Sequence, residues 1–337
     1  QLGSYLLGLA NPDLAWQKKY DNNLGIDVTF LDGSLNGRFD WYVSTTKGTI
    51  TNVTTPPSTG FASYTANLGE VENKGWEAYL NWRVWNEKAS MSYVTLYVSA
   101  SGNENTLKKV SNSLKSMNDV TDKDYDEKSE NTSVPVRYEE GASMSTIWVV
   151  KSLGIDPETG KEVFRKKDGS LTYDWDSRDY VDGGDTRPKV SGNFGINAEW
   201  HGIGLNAGFT WRLGGQIYNT TLLNKVENAD VHKNVDRRVF TDRWNTPGQV
   251  ARFKAISDDS STQPTSRFVE DYNLLTFSSL NVYYDFRECG FVKNSFLQRM
   301  KATFYMNDIA TISSVKTERG TSYPFARTFS FSLQVTF

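Results

Sequence analysis

Few side chains in this sequence are equipped to make or break bonds. It has two histidines, His201 and His232, and one cysteine, Cys289. Catalysis by a nucleophile or a metal needs such a group beside a positioned base. His201 stands between Trp200 and Gly202, in a stretch that reads as a tight turn, and His232 lies in the charged segment NADVHKNVDRR. Neither adjoins a recognisable Ser or Asp motif, and Cys289 falls at another turn. A lone thiol forms no internal disulfide and no multi-cysteine zinc site. No phosphate-binding or dinucleotide glycine motif is present. The residues therefore read as those of a protein that is not an enzyme and has no cofactor.

One segment imitates a cation loop. In DKDYDEKSE, Asp122, Asp124 and Asp126 alternate, but Glu127 replaces the glycine of the sharp turn and Ser133 stands where a bidentate Glu is needed. It reads as a solvated acidic loop, with no metal site. In GIDPETGKEVF, Asp156, Pro157 and Gly160 form a turn between two short extended pieces. The aromatic residues are richer in chemistry. Trp148, Tyr173, Trp175, Tyr218 and Trp244 lie in, or at the base of, long polar segments. Indole and phenol rings stack on the apolar C–H faces of sugars, and Asn219, Asp242 and Arg243 stand ready to bond hydroxyls. The competing reading is that these rings pack loop on loop, or against a partner.

The elements that would position them are strands. There are 10 Trp, 17 Tyr and 18 Phe in 337 residues, an enrichment that suits membrane-interface girdles as well as carbohydrate surfaces. Net charge is −3, so no electrostatic footprint for nucleic acid exists. No run approaches the roughly 20 apolar residues of a spanning helix, which leaves β-barrels open. No signal peptide is visible at the start.

The recurring unit is a pair of alternating segments joined by a short turn. Leu24, Ile26, Val28 and Phe30 alternate with small or polar residues, and Asp32-Gly33 then supplies a hairpin turn. Similar pairs follow in GWEAYLNWRVW with SMSYVTLYVSASG, in NFGINAEW with IGLNAGFTW, and in LLTFSSLNVYYDFRE with FLQRMKATFYMNDIATI. A ninth strand, SFSLQVTF, puts Phe329, Phe331, Leu333, Val335 and Phe337 on one face. Between the pairs lie long polar segments at about 51–74, 105–187, 220–270 and 313–323. Turns at one end and long loops at the other are how outer-membrane barrels are built; a large soluble β-fold is the alternative. Bacterial single-chain barrels have even strand numbers, so nine strands are expected to be the C-terminal part of a larger barrel.

Several stretches, in order, resemble the SusC-like TonB-dependent outer-membrane transporters of Bacteroidota. They include NPDLAWQKKYDNNLGIDVTFLDGSLNGRFDWY, NLGEVENKGWEAYLNW, GASMSTIWVVKSLGIDPETGKEVFRKKDG, GDTRPKVSGNFGINAEWHGIGLNAGFTW and DRWNTPGQ, with the terminal Phe337. The resemblance implies an all-β, antiparallel transmembrane barrel of about 22 strands, of which this chain, 1–337, supplies about nine. The plug domain and TonB box are absent from these residues. It also implies a SusD-like surface lipoprotein partner, energy supplied through TonB, Phe337 as an assembly signal, and an outer-membrane location. The expected cargo is a glycan. Oligopeptide import and a non-transporting adhesin are the alternatives. Asp122, Glu158 and His232 are expected outside the cell, and Asp32-Gly33, Lys88 and Cys289 at the periplasmic end.

Overall fold

The computed structural model describes residues 6–55, 57–67, 69–128, 130–230, 232, 235–316 and 327–337. The expected loop at 313–323 lies outside the described residues from 317 onward, and part of the segment around His232 does too. Alternation of apolar and small polar residues favours extended chain, because each side chain then reaches its own face. The first hairpin is β1 (Lys18–Phe30) with β2 (Leu35–Lys47), and β3 (Ile50–Thr54) pairs with β4 (Ser63–Asn67) as a small ribbon. Next come β5 (Gly69–Glu87), β6 (Ser92–Val110) and helix α1 (Asn112–Glu127). Four short strands follow: β7 (Thr146–Ile155), β8 (Glu162–Arg165), β9 (Leu171–Thr172) and β10 (Tyr180–Asp185). The chain then returns through β11 (Val190–Trp200), β12 (Ile203–Tyr218), β13 (Val269–Asp285), β14 (Arg299–Ser313) and β15 (Phe329–Thr336).

Nine strands form one antiparallel sheet in the order β1-β2-β5-β6-β11-β12-β13-β14-β15, a meander in which sequence neighbours lie side by side. Among the described residues β1 and β15 each have a single partner, so the sheet is an open wall. The strands are joined at one end by Leu31–Ser34, Lys88–Met91 and the two residues His201 and Gly202. His201 (φ +46°) and Gly202 (φ +87°) both take the left-handed conformation that a two-residue hairpin turn of matching twist requires. The fourth connection is longer than the sequence suggested. Phe286–Glu288 and Gly290–Lys293 are short helical turns, and Cys289 sits between them.

The register carries one apolar face across all nine strands. Leu24 faces Trp41, which faces Trp76, and Leu80 faces Val98. Val98 then faces Phe194, Phe194 faces Phe209, Phe209 faces Phe277, and Phe304 faces Phe331. Phe209 stacks on Phe194 at 4.9 Å and on Phe277 at 4.5 Å. These side chains are left open to their surroundings: Ile26, Leu80, Val98 and Phe331 are all exposed, the last by 72%. Soluble monomers rarely expose contiguous apolar patches beyond a few hundred Å². A face this continuous needs an apolar neighbour.

The buried cores lie instead among the long connections. Val53, Ala66, Val71, Leu107 and Leu114 form one, joining the β3/β4 ribbon, the tops of β5 and β6, and α1. Ile147, Val149, Leu223, Val226, Val239, Phe253 and Phe268 form a second, and Trp148, Val150, Phe164 and Tyr180 a third. Segments expected as plain loops thus contain a four-stranded sheet, β10-β7-β8-β9, and a helix. DKDYDE lies on α1, not in a solvated acidic loop. Ser111 caps the helix by accepting from the Leu114 N–H. Leu114, Asn118 and Tyr125 are its buried residues, and burying that face outweighs the acidic composition.

Candidate functional site

The face opposite the apolar one is polar along the whole wall. Asn36 faces Asn81, Arg38 faces Tyr79 and Asp40 faces Glu77. Ser99 faces Asn193, Asn193 faces Thr210, and Asn206 faces Asn281. Tyr305 faces Ser330. Some of the charges here are paired. The Arg38 guanidinium donates to both Asp40 oxygens, at 2.6 and 3.2 Å. Beside this pair is a cavity of about 540 Å³ whose lining includes Asn23, Tyr42, Glu77, Tyr79 and Ser99.

Towards the long connections the polar face becomes an amide ladder. The Asn105 Nδ2 donates to Asn73 Oδ1 at 2.9 Å, and the Tyr42 hydroxyl donates to Asn103 Oδ1 at 3.2 Å. The Asn105 Oδ1 accepts from the Met144 N–H at 3.1 Å, which ties the first long segment to the wall. At the short-turn end the Tyr283 hydroxyl donates to Glu199 at 2.7 Å, and the Arg287 guanidinium donates to the same carboxylate.

The long connections are clamped together by buried charge. Arg267 donates to Glu162 at 2.7 Å and to Glu227 at 2.6 Å, with the Thr265 hydroxyl completing the Glu162 side at 2.7 Å. This joins the β8 segment to the 219–268 connection. The Asp156 turn is tightened differently: its carboxylate accepts from the Thr159 and Tyr173 hydroxyls, each at 2.7 Å. The Thr159 hydroxyl first, and Tyr173 next, hold the Asp156 carboxyl below its ordinary range.

The ring residues singled out in the sequence are placed as follows. Trp148 is buried in β7 and donates its indole N–H to the Arg137 carbonyl at 2.9 Å. Tyr218 is buried at the top of β12, against Phe268. Trp175 packs edge-on to Tyr180 at 5.5 Å and donates to the Pro264 carbonyl. Trp244 donates to the Pro157 carbonyl at 2.7 Å, and Gly160 lies so close beneath its ring that a Cβ there would fall 2.5 Å from it. Tyr173 is 50% exposed.

The polar residues separate in the same way. Arg243 is buried and donates to the carbonyls of Val226, Glu227 and Lys254, whereas Asp242 is exposed. Asn219 caps a short helix by accepting from Leu222 and donates to Glu270 at 2.9 Å. The structure does not gather these residues into one pocket. Phe337 is exposed, with its ring stacked on Phe296 at 5.7 Å. Among the described residues no group of His, Cys, Asp and Glu converges as a metal site.

Sequence reasoning passed over the continuous stretch TIWVV at 146–150, whose lack of alternation marks a strand buried on both faces. Tyr79 and Tyr97, like Tyr42, stand at polar-parity positions, the sequence signal for tyrosines on this face.

A meander of long strands, with an exposed apolar face, a polar face and loops concentrated at one end, defines the wall of an outer-membrane-type barrel. The chain belongs to the family described as TonB dependent receptor-like, beta-barrel, which it matches over residues 2–286. It is 23% identical over 354 residues to TonB-dependent receptor P39 of Formosa agariphila, covering 89% of this chain and 32% of that protein. TonB-dependent receptor P3 of the same organism is 25% identical, over 99% of this chain and 36% of its own length. A segment of 72 residues is 38% identical to TonB-dependent receptor SusC of Bacteroides thetaiotaomicron, covering 21% of this chain and 7% of that protein. The chain thus spans about a third of the length of the first two relatives. In fold it is similar to the structure titled as the RagAB peptide transporter, with a TM-score of 0.78 and 18% identity, covering 98% of this chain and 36% of that one. The family is one of outer-membrane receptors and transporters. Its apolar face is accordingly the lipid face, and its polar face the lumen face.

Proposed function

We propose that residues 1–337 are the C-terminal part of the barrel of a TonB-dependent outer-membrane importer of neutral oligosaccharides. The plug, the TonB box and the remaining strands are supplied outside these residues, and a SusD-like surface lipoprotein caps the barrel. The protein's work is binding and gated passage, without bond cleavage. One observation carries the cargo assignment. The lumen face is built mostly of amides, hydroxyls, phenols and glycines, with a few charges among them, of which Arg38 is paired with Asp40. Such a surface exchanges hydrogen bonds with polyhydroxylated solutes and gives little reward to a strongly charged one.

The test is calorimetry on the complete importer with its lipoprotein, titrated separately with neutral oligosaccharides and with oligopeptides. Saturable oligosaccharide binding is expected. Saturable peptide binding with no response to sugars would replace the cargo class and leave the importer reading standing.

A further inference from the structure

Aromatic residues on the wall are sorted by chemistry. Every Phe and Trp of the nine wall strands shares the lipid face, from Phe30 and Trp41 through Trp76 and Phe209 to Phe331. Tyrosines go mostly the other way, and Tyr20 and Tyr284, on the lipid face, stand near strand ends where a phenol reaches the interface. Three of the lumen tyrosines are laid against the wall by glycines. A Cβ on Gly75 would fall 2.6 Å from the Tyr42 ring, one on Gly195 2.6 Å from Tyr97, and one on Gly204 1.9 Å from Tyr283. With no Cβ beneath it, a ring lies flat on the backbone and turns its other face to the lumen.

Two of these flat rings are already occupied. Tyr42 spends its hydroxyl on Asn103. Tyr283 donates to Glu199, and the Lys301 ammonium sits over its ring at 3.6 Å. Tyr97 differs. Its hydroxyl bonds to no described residue and no cation covers it. Its diagonal neighbour on β5, Tyr79, is also without a bonded hydroxyl, is 44% exposed and borders the 540 Å³ cavity. Asn81 and Ser99 stand directly opposite the two tyrosines, and Asn193 opposite Ser99.

We propose that Tyr79 and Tyr97 form a sugar subsite partway down the lumen wall. A pyranose ring stacks its C–H face on the flat Tyr97 phenol, while Tyr79, Ser99 and Asn193 bond its hydroxyls. The ligand class is a neutral oligosaccharide, so the inference rests on the cargo reading above. The arrangement explains why an importer whose loop rings are largely committed to packing keeps uncommitted phenols such as Tyr79 and Tyr97 below them.

The test titrates the complete importer with a panel of neutral gluco-, xylo- and manno-oligosaccharides, using Tyr97→Ala, Tyr97→Phe, Tyr79→Ala and Gly195→Ala. Heat-shifted electrophoretic mobility verifies barrel assembly in each. Tyr97→Ala and Tyr79→Ala should each weaken the best binder several-fold. Tyr97→Phe, which keeps the stacking face, should stay within about twofold. Gly195→Ala, whose methyl would fall 2.3 Å from the Ala207 carbonyl oxygen and 2.4 Å from the Tyr97 hydroxyl, should weaken binding in the assembled barrel by displacing the ring and the strand beneath it. If wild type binds a sugar and the assembled Tyr97→Ala and Tyr79→Ala variants bind it equally well, the subsite is refuted and the cargo reading survives. If wild type binds no sugar but binds peptides, both fall.

Discussion

At the scale of single residues, the strongest determinant of the loop cluster is Arg267. Its side chain is 10% exposed, between a Glu162 side chain at 9% and a Glu227 side chain at 0%. Burying three charges gives little net stability while they are paired, but removing one partner strands the others. Arg267→Ala should therefore destabilise the packing of the 146–165 and 219–268 segments by about 3–5 kcal/mol. Adding Glu162→Gln and Glu227→Gln should recover much of that loss. Limited proteolysis of the assembled barrel reads the effect. Cleavage should rise in the single variant and fall again in the triple one, with barrel mobility on gels unchanged. Equal resistance of all forms would show that the apolar core alone holds these segments.

The loop rings show how little of this packing was legible. Trp148 and Tyr218 were readable as aromatic and off the lipid face, and no more. Their burial depends on Val150 pairing with Tyr180, and on Tyr218 meeting Phe268, across connections that sequence spacing does not specify. The tyrosines of the lumen face were legible by parity alone. What parity does not give is which glycine lies beneath which ring, because that follows from strand register.

At the scale of elements, the wall was the most readable part. Strict alternation over β1, β2, β5, β6, β11 and β12, with turn residues such as Asp32-Gly33 between them, leaves one register that keeps the apolar set on one face. Strand lengths were underestimated. β5 and β6 run up to Gly69 and Val110, where Val71 and Leu107 pack under α1 instead of continuing the polar alternation. Helix α1 was hidden because its acidic residues dominate the composition.

The face assignment is testable on adjacent residues of one strand. Val98 sits between Leu80 and Phe194 on the lipid face, and Ser99 between Tyr79 and Asn193 on the lumen face. Val98→Arg should cost about 2–4 kcal/mol at mid-depth. Ser99→Arg, hydrated in the lumen, should cost much less. Urea unfolding from detergent or lipid vesicles measures both, and equal costs would contradict the assignment.

At the scale of the whole molecule, the sheet makes a single division of space: lipid on one side, an aqueous path on the other. The loop cores, the clamp at Arg267 and the tyrosine subsite all take their meaning from it. The most direct measurement places single cysteines at Val94, Thr95, Leu96, Tyr97, Val98 and Ser99 in the complete importer, freed of other thiols, which in this chain requires Cys289→Ser. Each is spin-labelled in reconstituted membranes and its relaxation compared with oxygen, which concentrates in lipid, and with a water-soluble nickel chelate. Oxygen should dominate at positions 94, 96 and 98, and the nickel chelate at 95, 97 and 99, with a period of two. A flat profile, or the opposite phase, would contradict the barrel wall described here.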